Sequence, residues 1–160
     1  MSASGETTTE APPGRAVMDL LGRQLGLFRQ LEQLADAQHK AIEVDDTRPL
    51  MELLSRRAKL TSALTRLNAE LAPYRRCWDD TRKTLVPEDR RTLDEMLEEA
   101  GTRLRRILDR DEADGRLLAA KKAGMVQSMD ELDTARRTLS AYGDTAAAAG
   151  GSSVLHGTEA

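Results

Sequence analysis

The sequence predicts an all-α protein: an antiparallel helical hairpin plus a long third helix, a three-helix bundle or coiled coil with disordered termini. Three observations carry this reading. The 160 residues include 23 leucines but only four aromatics, Phe28, Tyr74, Trp78 and Tyr142. β-Branched residues are few between 16 and 142, so a sheet core has little to build on. The leucines recur at steps of three and four, which is the period of one helix face.

Residues 1–15 are polar, with Thr7, Thr8, Thr9, Pro12, Pro13 and Gly14, and predict a disordered lead-in. The first helix is expected over 16–44. Val17, Leu20, Leu27, Leu31, Leu34 and Ala41 mark its stripe, and Leu21, Leu25, Phe28, Ala35 and Ile42 widen it. A stripe of that width suits a bundle helix touching two neighbours. Asp45 to Pro49 punctuates the pattern. Asp46 or Thr47 is placed to cap the second helix, with Pro49 in its first turn.

The second helix is expected over 47–84. Leu50, Leu53, Leu60, Leu64, Leu67 and Leu71 form a heptad seam, interrupted by Arg57, whose stem is expected along the seam with its head in water. Pro73 predicts a kink. The third helix is expected over 88–142, opened by Pro87, Glu88 and Asp89. One frame runs without a change of phase from Leu93 to Tyr142, which argues for a single long helix. Gly115, Gly124 and the seam residues Asp111 and Asp114 are expected to soften its middle. Residues 143–160 are small and polar and predict a flexible tail.

Charge and composition narrow the function classes. The net charge is −3 and residues 16–142 balance to zero, with both signs interspersed. A basic face is missing, which argues against nucleic acid as a partner. No apolar run approaches the 18 or so residues of a membrane span, so no membrane insertion is expected. The start has no apolar secretory segment and the single Cys77 offers no disulfide framework. A cytoplasmic location is the expectation.

No chemistry-bearing motif emerges. His39, His156 and Cys77 make no zinc spacing. The acidic stretch from Asp109 departs from a calcium loop at Ala113, Asp114 and Ala120. No phosphate-binding loop, nucleophile elbow or HExxH is present. The expectation is a non-enzyme with no catalytic residue, no metal and no cofactor. A phosphotransfer bundle acting through His39 is the enzymatic-type alternative, testable by phosphate acceptance from a kinase.

Helix lengths point toward binding. If the third helix returned along the second, the paired portion would end near residue 124. Residues 124–142 would then extend about 28 Å further at 1.5 Å per residue. Yet that stretch keeps an apolar seam of Met125, Met129, Leu132, Leu139 and Tyr142. Such a stripe needs a cover: a partner, a homodimer, or another helix of the same chain. Methionines suit a surface that adapts to its target.

The stretch Asp111-Glu-Ala-Asp114-Gly115-Arg-Leu117-Leu118 resembles the Asn-x-x-Asn-Gly-x-Leu-(Leu/Ile) signature of FlgN-type flagellar export chaperones. Aspartate stands here where that family has asparagine. The order of a leucine-rich first helix, an acidic turn and a leucine-rich, basic second helix is also similar, and the resemblance spans about 16–142. It implies a type III secretion chaperone that binds hook–filament junction proteins, prevents their premature assembly and delivers them to the export gate. The client-binding residues it implies are Met125, Met129, Leu132, Leu139 and Tyr142, with Tyr142 also the candidate for gate docking. A sister chaperone class serving the filament cap shares this helical design. A coiled-coil scaffold or homodimeric structural protein is the alternative from another class.

Overall fold

The computed structural model describes residues 11–150. Four helices fill nearly all of that span: α1 Pro13–Glu43, α2 Thr47–Arg76, α3 Trp78–Lys83 and α4 Pro87–Gly150. No strand occurs among the described residues, and none of their helices is long and apolar enough to cross a membrane. The chain divides into two compact units, one ending at Gly115 and one beginning at Arg116.

In the first unit, α1 is the central element. It opens three residues earlier than the expected 16, with a proline in its first turn, where a missing N–H costs nothing. The next residue, Gly14, donates its N–H to Thr84 Oγ1 at 2.9 Å. A Cβ there would lie 2.5 Å from Leu85 Cγ, so only glycine permits this approach. Val17, Leu20, Leu21, Leu25, Phe28, Leu31, Ala35, Ala41 and Ile42 are buried along the whole helix. Asp45 then takes a left-handed backbone, φ 56, which aspartate tolerates better than most residues. Its N–H bonds to Ile42 O at 3.3 Å and that of Asp46 to Ala41 O at 3.0 Å, the paired bonds of a Schellman ending. Asp46 takes the N-cap position of α2, but its side chain makes no capping hydrogen bond.

α2 runs antiparallel to α1. Gln24 near the start of α1 donates to Asn68 Oδ1 near the end of α2 at 3.0 Å. Near the other end of α1, Gln38 accepts from Arg57 at 3.3 Å. Of the expected α2 seam only Leu67 and Leu71 are buried; Leu50, Leu53, Leu60 and Leu64 are half-buried. The helix continues through Pro73 to Arg76 and breaks at Cys77, φ −127 and ψ 48. Pro73 supplies no N–H to the carbonyl four residues before it, and the chain re-nucleates as the short α3. One kinked helix over 47–84 was the expectation; two helices form instead.

α4 runs in the same direction as α1. Arg29 pairs with Glu99 at 3.0 Å, Glu32 with Arg103 and Asp36 with Arg110 at 2.7 Å, both numbers rising together. The core forms two apolar clusters. Val17, Leu20, Leu21, Leu67, Leu71, Leu85 and Leu93 make one. Leu25, Phe28, Leu31, Ala100 and Ile107 make the other. From α4 every seventh residue is buried, Leu93, Ala100, Ile107 and then Asp114, with half-buried Met96 packed against both clusters, while Leu97 and Leu104 stay exposed. The frame read as one seam is thus two rows: one is buried, and the other leaves Leu97 and Leu104 partly exposed before Asp111 meets Arg57 of α2.

In the second unit, residues 116–150 are helical. The helix continues past the expected end at 142, so 143–150 belong to it. The remainder of the expected tail, 151–160, and residues 1–10 of the expected lead-in lie outside the described residues.

Candidate functional site

The apolar stripe of the second unit is built by heptad spacing alone. Leu118, Met125, Leu132 and Leu139 recur every seven residues, which on an α-helix drifts by roughly 20° per repeat and favours a partner that winds with it. Met129 lies roughly 40° from Met125 on the same side, while Tyr142 sits well around the slanting edge of the row. All five expected binding residues are exposed, Met125 64%, Met129 68%, Leu132 68%, Leu139 73% and Tyr142 73%. Indeed every residue from Lys122 to Ala149 is exposed. Val126, also half exposed, was not anticipated; it lies about 100° from Met125 and off the stripe.

The hydrogen bonds of this segment are local. Gln127 donates to Glu131 at 3.1 Å, and the hydroxyls of Ser128, Thr134, Thr138 and Thr145 each return to the carbonyl one turn earlier. Such back-bonding does not strengthen a helix. Helices held by propensity alone are marginal in water. The segment is therefore chemically suited to being ordered and covered by a partner.

The residues matching the family signature do something different. Asp114, 2% exposed, accepts from Gln38 Nε2 at 3.0 Å, and His39 Nδ1 lies 2.6 Å from its other oxygen. The second ring nitrogen of His39 is 3.2 Å from Glu43, so both nitrogens are engaged. Asp111 forms an ion pair with Arg57 through one oxygen, and its Oδ1 is buried without a partner. Two of the signature residues therefore clamp α1, α2 and α4 together within the first unit. Both oxygens of Asp114 are engaged, whereas Asp111 keeps one buried oxygen without a partner. The head of Arg57 is likewise not in water: it spans Asp111 and Gln38. Gly115 is exposed, and a Cβ there would meet nothing within 4 Å. Leu117 is half-buried and Leu118 exposed.

Gln38 and Arg57 escaped the sequence analysis as site residues, and His39 entered it only as the alternative phosphate acceptor, not as a partner of Asp114. Their signal was present: a seam containing two aspartates needs polar groups opposite, and Arg57 was already the odd residue of its own seam. The groove between α1 and α4, about 760 Å³, is lined by Arg29, Glu32, Asp36, Arg103 and Arg110 among others. Arg103 and Arg29 hold the Glu99 carboxyl below the usual carboxylate range by hydrogen bonding to it. Asp36 raises Arg110 in the same way. These charges are mutually satisfied and leave no reactive group. Among the described residues no cluster of three or more His, Cys, Asp or Glu is placed to hold a metal ion.

No family model matches the chain, and neither a curated protein nor a solved structure matches it.

Proposed function

We propose that the protein is a FlgN-type flagellar export chaperone, a cytoplasmic binder of hook–filament junction subunits. The observation that carries the reading is the exposed heptad stripe from Leu118 to Tyr142, next in sequence to the signature-like stretch from Asp111. In this reading α1 and α2 are the helical hairpin and α4 the long third helix that ends in the client-binding segment. The client buries Met125, Met129, Leu132 and Leu139 against an amphipathic helix of its own, keeping its assembly surface unavailable until delivery to the export gate. Ordering a marginal helix on binding lowers net affinity, which suits a carrier that must let go. Tyr142, at the edge of the stripe, is the candidate contact with the gate. No step requires catalysis.

The test is titration calorimetry of the full chain with purified junction subunits. Binding is expected, and Met129→Glu with Leu132→Glu is expected to abolish it without loss of helix content. Binding that survives both substitutions rejects the assignment.

A second reading, a homodimeric coiled-coil scaffold, is favoured by one detail. With Leu118, Met125, Leu132 and Leu139 at one seam position, Glu131 and Arg136 fall at the flanking positions that pair across a parallel dimer. Against it, the other seam position of this segment carries Lys121 and Ser128.

A further inference from the structure

The charge of the first unit is unevenly divided among its helices. α2 carries seven cations against two carboxylates, Glu52 and Glu70, a net of +5. Of the seven, Arg57 is spent on Asp111. Arg48, Arg56, Lys59 and Arg66 are exposed, and none forms an ion pair among the described residues. Spacings of 11 and 7 place Arg48, Lys59 and Arg66 within roughly 20° of one another on the helix surface, in a row about 27 Å long. Met51, 66% exposed, lies roughly 60–80° to one side of that row. Elsewhere in this unit Arg29, Arg82, Arg103 and Arg110 each reach a carboxylate. The α2 row differs in setting several cations without such a partner in one line.

We infer that this face of α2 is a docking surface for an acidic amphipathic protein helix. Unpaired cations in a line attract and steer an oppositely charged partner, and Met51 gives that partner apolar contact once it arrives. Two other polyanions fit less well. Exposed Glu52 sits between Arg48 and Arg56, one turn from each, where a phosphate backbone or an anionic lipid sheet would meet it with repulsion. A protein helix can place a cation opposite Glu52 and carboxylates opposite its neighbours. The row involves no residue of the 118–142 stripe, so this docking surface does not depend on the chaperone assignment.

The test uses the full chain and a fluorescein-labelled helical peptide with glutamate at every seventh position along one edge, leucine beside it and a single lysine. Anisotropy at low salt is expected to report binding that weakens at least tenfold in the Arg48→Glu, Lys59→Glu, Arg66→Glu triple variant. The milder triple glutamine variant is expected to give an intermediate loss. Because all three side chains are exposed, circular dichroism should be unchanged in both. Affinity that is the same in the wild type and both variants overturns the proposal. So does tighter binding to duplex DNA or to phosphatidylserine vesicles than to the peptide.

Discussion

Gln38 and Asp114 face one another inside the bundle, with the amide Nε2 3.0 Å from a carboxylate oxygen that is almost wholly shielded from water. His39 approaches the second oxygen of the same carboxylate. A buried carboxylate is costly unless it is paired and hydrogen-bonded, and here two neighbours on α1 supply what it needs. The aspartates that interrupt the apolar frame of α4 therefore fix its register against α1 and α2.

Removing that acceptor should be expensive. Asp114→Ala leaves Gln38 and His39 without their partner, and hydrogen bonds to a charged group contribute about 1.5–3 kcal/mol. Urea unfolding is expected to show a loss of about 2–3 kcal/mol. Asp114→Asn, which still accepts from Gln38, should lose less. Equal stability of wild type and Asp114→Ala would refute the clamp.

Glycines at three positions should respond in opposite directions. Gly14→Ala drives a methyl into Leu85 and Thr84, and overpacking of this kind costs about 1–3 kcal/mol. At Gly115 and Gly124 a Cβ meets open space, so alanine should stabilise the helix by up to about 1 kcal/mol each. Thermal melts followed by circular dichroism separate the two cases.

Leucines of α4 should divide by row and unit. Leu93 is fully buried, and Leu93→Ala is expected to cost about 2–5 kcal/mol. Leu132→Ala removes an exposed side chain and should stay within about 0.5 kcal/mol of wild type. Its effect should appear in partner binding instead. A stability loss at Leu132 as large as that at Leu93 would mean that its side chain is covered within the chain.

Acid should weaken the α1–α4 contact at Glu99. Its carboxyl is held below the ordinary range, first by the hydrogen bond from Arg103 and then by that from Arg29. The folded chain therefore binds this proton less readily than the unfolded chain. The resulting stability is present above the ordinary carboxylate range and is lost as pH falls through the depressed folded value. Glu99→Gln should accordingly show a shallower fall in melting temperature between about pH 5 and pH 3.

The helical class and the buried stripe of α1 were legible because period and composition agree along the chain. The α2 seam was over-read, since leucine spacing marks a face but not how deeply its neighbours cover it. Pro73 signalled a break but not its position, which the backbone sets four residues later at Cys77. The exposure of Leu97 and Leu104 was invisible as such, because they share one frame with buried Leu93 and Ala100. The exposed residues Met125, Met129 and Leu132 could be nominated from pattern. Partners for Asp111 and Asp114 could not, since Gln38, His39 and Arg57 lie 54 to 76 residues away in sequence.

Amide hydrogen exchange on the full chain, alone and with hook–filament junction subunits, tests the central claim most directly. Fast exchange over 122–142 is expected in the free protein, with protection of that segment, centred on Met125, Met129 and Leu132, when the subunits are added. Protection of the segment in the free protein, unchanged by the subunits, would contradict it.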